Sequence, residues 1–139
     1  MMNKMVIDAS VVLKWFSKEG EELAKEAREI HKKIVNGKIE VWAPELLLTE
    51  VLNILARKKK LENKWLNKIM GRLNKMRINW VSMGADEILG LAKIVGKYKV
   101  TAYDGQYLWL AKEKKCKLLT LDKELLKIKG LAMGLENRV

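Results

Sequence analysis

Short apolar runs alternate with longer amphipathic ones along the whole chain, and that alternation restricts the fold more than any other feature. KMVID reads as a strand ending at Asp8, and ASVVLKWFSKE follows as a helix. Gly20 to Val35 is a second helix, closed by the Asn36-Gly37 C-cap signal. Ile39 to Ala43 alternates as a strand, and Pro44-Glu45 opens the helix ELLLTEVLNILARKKK, with proline at its first position. A further helix over about Asn63 to Arg77 leads into the strand NWVSM. Another spans about Ala85 to Lys97, and one more begins within TAYDGQYLWLA. CKLLTL is then a strand, DKELLKIK a short helix, and LAMGL a last strand before a short tail. Strands that alternate with helices of this length predict one α/β domain over residues 1–139, with a central parallel sheet of four to five strands. Helices on both faces make it a three-layer α/β/α sandwich.

The residue inventory narrows the chemistry. Cys116 is the only cysteine and His31 the only histidine, so a disulfide, a zinc site and a Ser-His or Cys-His relay are all disfavoured. Cys116, in KCKLLTL, is expected to be a buried structural thiol, and His31, in AREIHKKI, a surface side chain. Catalysis, if there is any, falls to carboxylates. Acids or lysines break every apolar stretch well before the ~18 residues of a membrane span, and MMNKMVID has no signal-peptide pattern. A cytoplasmic protein is expected. The net charge of +11 points to a polyanionic partner, with clusters such as Arg57-Lys58-Lys59-Lys60 and Lys112-Glu113-Lys114-Lys115 to attract it. A lysine- and glutamate-rich surface laced with ion pairs is the plainer reading, but it does not account for the excess of one sign.

Three aspartates sit where strands give way to helices or where helices start. Asp8 and Asp122 each follow a strand, and Asp104 begins a helix in AYDGQYL. Each alone is explained as an N-cap. In a parallel sheet, however, Asp8 and Asp122 must share the carboxyl edge, where open α/β sheets place their sites. Asp104 heads a stripe with Leu108 and Ala111, and Glu50 borders the apolar arc of its own helix. Convergent carboxylates cannot all stay ionised without a cation, and oxygen-only ligands select Mg²⁺ or Mn²⁺.

VIDAS, PELLLTEVLN, TAYDGQYLWLA and LLTLD, in this order and spacing, resemble the PIN-domain nucleases, and within them the VapC-type toxins. The resemblance spans nearly the whole chain. It implies an acidic site at Asp8, Glu50, Asp104 and Asp122, with Asp8, Asp104 and Asp122 as metal ligands and Glu50 a direct or water-mediated one. Thr120 matches a hydroxyl that orients the acids, Ser10 a small polar position beside the first acid, and Asn53 a polar position a turn beyond the glutamate. Gly105-Gln106 departs from the Ala-Leu common after the third acid. The family further implies Mg²⁺- or Mn²⁺-dependent cleavage of structured RNA, a cognate antitoxin and a homodimer. Rival readings are a PIN nuclease of RNA processing without an antitoxin and a non-catalytic RNA-binding PIN domain. A receiver domain is a third, disfavoured because NWVSMGAD lacks an acceptor aspartate at the end of the third strand.

Overall fold

A computed structural model describes residues 3–137, so the last two residues of the tail lie outside it. Five strands form one sheet: β1 (Asn3–Ile7), β2 (Ile39–Pro44), β3 (Ile78–Val81), β4 (Lys117–Leu119) and β5 (Ala132–Met133), in the order β3-β2-β1-β4-β5. Every neighbouring pair is parallel. The helices flanking it are α1 (Ala9–Lys14), α2 (Ala24–Val35), α3 (Leu46–Arg57), α4 (Asn63–Leu73), α5 (Ile88–Tyr98), α6 (Ala102–Glu113) and α7 (Lys123–Leu126). The result is the expected α/β/α arrangement around a parallel sheet.

The centre of the sheet is buried on both faces, as parallel sheets require. Met5, Val6 and Ile7 of β1 and Leu118 and Leu119 of β4 are essentially inaccessible. α6 lies over β1, β2 and β4 and packs on α5, while α2 packs on β2 and α1, and α3 on α1 and α4. Within α6, Gly105 makes the close approach to α5 possible. A Cβ there would stand 3.1 Å from Leu91 Cδ1 and 3.0 Å from Val95 Cγ2. The departure Gly105 is thus a packing residue in an unbroken helix.

Several boundaries differ from the sequence reading. Pro44 is the last residue of β2, opposite Val81, and does not open a helix. It has no N–H to donate, and the next amide, Glu45 N–H, bonds Val81 O at 2.9 Å instead. α1 stops at Lys14, and Gly20 to Leu23 turns before α2 begins, because Gly20 (φ +89°) and Leu23 (φ +62°) take left-handed backbone. α4 ends at Leu73, its only buried residue, not at Arg77. β3 starts at Ile78 and ends at Val81, since β2 offers no partner past Pro44. Ala85–Glu87 is a 3₁₀ turn ahead of α5. His31 is half-buried rather than on the surface: its ring meets Trp15 edge-on at 4.8 Å, and burial lowers its pKa. Cys116 is half-buried, its thiol pushed up chiefly by burial.

Candidate active site

The strand order reverses at β1, whose neighbours β2 and β4 are reached by connections running in opposite directions along the sheet. Open α/β sheets form a crevice at such a switch point, beyond the carboxyl ends of the strands. Ile7 pairs with Leu119 across it, so Asp8 and Thr120 are the first residues past the register pair. Thr120 Oγ1 donates to Asp8 Oδ2 at 2.5 Å, and Ser10 Oγ donates to Asp8 Oδ1 at 2.5 Å. Each hydroxyl is itself held: Asp122 N–H donates to Thr120 Oγ1 and Leu121 N–H to Ser10 Oγ, both at 3.0 Å. Two hydroxyls therefore clamp the end of β1 to the end of β4, with Asp8 between them.

Asp8 also caps α1 through Val11 N–H at 3.3 Å. It is 6% exposed, and burial pushes its carboxyl up to about 6 although all its hydrogen bonds oppose the shift. Asp122 is a cap too, its Oδ1 accepting from Glu124 N–H at 2.8 Å and Leu125 N–H at 3.1 Å. Asp104 is not. Thr101 caps α6 by accepting Asp104 N–H at 3.0 Å, which leaves the Asp104 carboxylate free in the first turn. That frees it for chemistry.

Three of the acids feel one another's charge in turn. Asp104 is raised by burial and then by the charge of Asp122, and Glu50 by burial and by the charge of Asp104. Among the described residues, no lysine or arginine forms an ion pair with any of the four, in a chain that carries +11. Asn53 is exposed on α3, and among the described residues no side-chain hydrogen bond ties it to the acids.

Tyr107 was not found by sequence reasoning. Its ring is 1% exposed, and its hydroxyl donates to Glu50 Oε1 at 2.5 Å, bridging α6 and α3. Burial foremost, then the bond to Glu50 and the charges of Glu50, Asp8 and Asp104, raise the phenol so far that it remains a donor. The signal was available: Tyr107 lies three residues after Asp104 on the buried side of α6, and a buried tyrosine hydroxyl needs a partner.

A carboxylate offers about four acceptor positions, and several stay open here. Glu50 Oε2, Asp122 Oδ2 and both Asp104 oxygens accept no hydrogen bond among the described residues. Oxygen donors of this kind, without nitrogen or sulfur, fit a hard divalent cation. As the side chains stand, no group of three or more His, Cys, Asp and Glu among the described residues converges closely enough to enclose an ion. The donor chemistry therefore fits a cation, while the ligand shell is not drawn together.

The PIN domain family matches residues 5–131. No curated protein matches the chain in sequence. Among solved structures, the fold is similar to DNA-bound VapBC from Salmonella typhimurium, with a TM-score of 0.72 at 13% identity over 96% of this chain and 99% of that one. It is also similar to the Mycobacterium tuberculosis toxin VapC20, described as cleaving the sarcin-ricin loop. That match has a TM-score of 0.69 at 11% identity, over 89% of this chain and 94% of that one. PAE2754 from Pyrobaculum aerophilum matches with a TM-score of 0.66 at 19% identity, over 99% and 93% of the two chains. The chain belongs to the PIN domain family.

Proposed function

We propose that this protein is a divalent-cation-dependent endoribonuclease, acting as a single domain and as the toxin of a toxin–antitoxin pair. The observation that carries the reading is the switch-point site: Asp8 fixed by Ser10 and Thr120, Glu50, Asp104 and Asp122 feeling one another's charge in turn, and, among the described residues, no basic residue paired to any of the four. Asp8, Asp104 and Asp122 would hold Mg²⁺ or Mn²⁺, with Glu50 binding directly or through water. When bound, such an ion supplies an activated water and neutralises charge on the scissile phosphate and the leaving oxygen.

The chain's own residues set the stage. Ser10 and Thr120 fix the direction of both Asp8 oxygens, and the Thr101 cap keeps Asp104 from being consumed by its own helix. Tyr107 holds one oxygen of Glu50 and leaves the other open. The basic surface steers the RNA backbone toward the acids and raises the encounter rate.

The likeness to VapBC from Salmonella typhimurium and to the toxin VapC20 supports an antitoxin partner. Exposure of Ile88 (54%), Leu89 (75%) and Tyr103 (62%), on α5 and the adjoining α6, supports a homodimer. An RNA substrate supports a cytoplasmic site of action. No helix among the described residues is long and apolar enough to cross a membrane. The test is cleavage of a panel of structured RNAs by purified protein in Mg²⁺, Mn²⁺ or EDTA. Cutting is expected with either ion, and cutting that continues in EDTA refutes the mechanism.

A further inference from the structure

α4 and its flanks carry chemistry that the acidic site does not use. From Arg57 to Arg77 the chain holds nine basic residues and one acid, Glu62, a net +8 within a protein whose total is +11. A surface built for ion pairing mixes the two signs. This one does not, and among the described residues none of its basic side chains forms an ion pair. In the middle stands Trp65, 44% exposed and the only one of the five tryptophans in the exposed class. The ammonium groups of Lys64 and Lys68 each lie 5.3 Å from the centre of its ring. A lone exposed tryptophan needs no explanation. One flanked by two cations, inside the stretch that holds most of the protein's excess charge, does.

Its position relates it to the acids. Glu50 and Arg57 lie on the same helix, α3, seven residues or about 10 Å of helix rise apart. α3 packs against α4. The basic stretch therefore begins on the helix that carries Glu50 and continues on a helix packed against it.

We propose that α4 is a platform for single-stranded RNA, with a base stacked on Trp65 and the flanking phosphates bound by Lys64 and Lys68. The base takes the place of a lysine at the ring face, and the released ammonium turns to the backbone. Stacking on an aromatic ring beside backbone-tracking cations is how single strands are held without sequence preference. The choice of RNA as occupant rests on the ribonuclease reading above. An acidic polypeptide would also be drawn to this charge, but its carboxylates do not stack on the indole, so polyglutamate and Trp65 together separate the two occupants.

The experiment measures anisotropy of labelled oligouridylate bound to Asp8→Asn protein, alone and combined with Trp65→Ala, Trp65→Phe or Lys64→Gln/Lys68→Gln. Trp65→Ala should weaken binding about 5- to 150-fold, and Trp65→Phe should recover most of the loss. The double lysine variant should flatten the log–log salt dependence by about 1.4, or about 0.7 for each phosphate contact removed. Matched thermal melts establish that the variants are folded. Unchanged affinity in Trp65→Ala overturns the platform, as does polyglutamate binding that Trp65→Ala weakens equally. Binding and cleavage are read separately. Wild type that fails to cut RNA while Trp65→Ala loses binding refutes only the nuclease reading. Wild type that cuts while Trp65→Ala binds normally refutes only the platform.

Discussion

Asp8→Asn should make the protein more stable at neutral pH, and the gain should disappear in acid. Asp8 is buried, and its folded carboxyl is pushed up to about 6 from an ordinary 3.8. Between those values the folded state keeps a proton that the unfolded chain has released. Stability from this group is therefore full below about pH 4 and is lost as pH rises through about 6. A gap of about 2 pH units corresponds to ~3 kcal/mol, or roughly 10 °C in melting temperature for a domain of this size. Asparagine keeps the cap to Val11 nearly intact, and the hydroxyls of Ser10 and Thr120 can rotate to suit an amide. The assay is chemical denaturation of wild type and Asp8→Asn in EDTA at pH 4 and pH 7.5. The wild type should lose ~3 kcal/mol more than the variant between the two. Parallel losses would refute the claim that Asp8 is held against its burial cost.

Other predictions follow from the same network. In EDTA, Asp122→Ala should cost about 0.5–2 kcal/mol because it removes a cap, whereas Asp104→Ala, which caps nothing and relieves repulsion, should be neutral or stabilising in thermal melts. Equal losses would mean that Asp104 is structural. Tyr107→Phe should weaken Mn²⁺ binding measured by calorimetry while leaving a folded protein, since it frees Glu50 Oε1 without removing the ring; unchanged affinity would deny Tyr107 a positioning role. Leu89→Glu should convert a dimer to a monomer by light scattering, and an unaffected mass would place any dimer contact elsewhere.

The carboxyl edge was legible in the sequence because the parallel sheet fixes it. Once KMVID and CKLLTL are parallel strands, Asp8 and Asp122 have no choice of edge. Periodicity gave the helices but not their ends, because the ends are set by events that it does not encode. Pro44 belongs to β2 because Val81 pairs with it, and α2 starts late because Gly20 and Leu23 adopt positive φ. Asp104 looked like a cap from its place in AYDGQYL, yet Thr101, three residues earlier, has the extended backbone and the hydroxyl that a cap needs. Tyr107 depends on a contact 57 residues away in sequence, which no local pattern announces. α6 itself is buried on several sides, so its stripe was blurred.

The central claim is that the four acids hold a divalent ion that cuts RNA. The most direct measurement compares wild type, Asp8→Asn and Asp104→Asn on one structured RNA in Mn²⁺, after each is shown to be folded. Cleavage by wild type that both variants lose by a hundredfold or more (roughly 3 kcal/mol of barrier) is the predicted result. Variants that cut at the wild-type rate would contradict it.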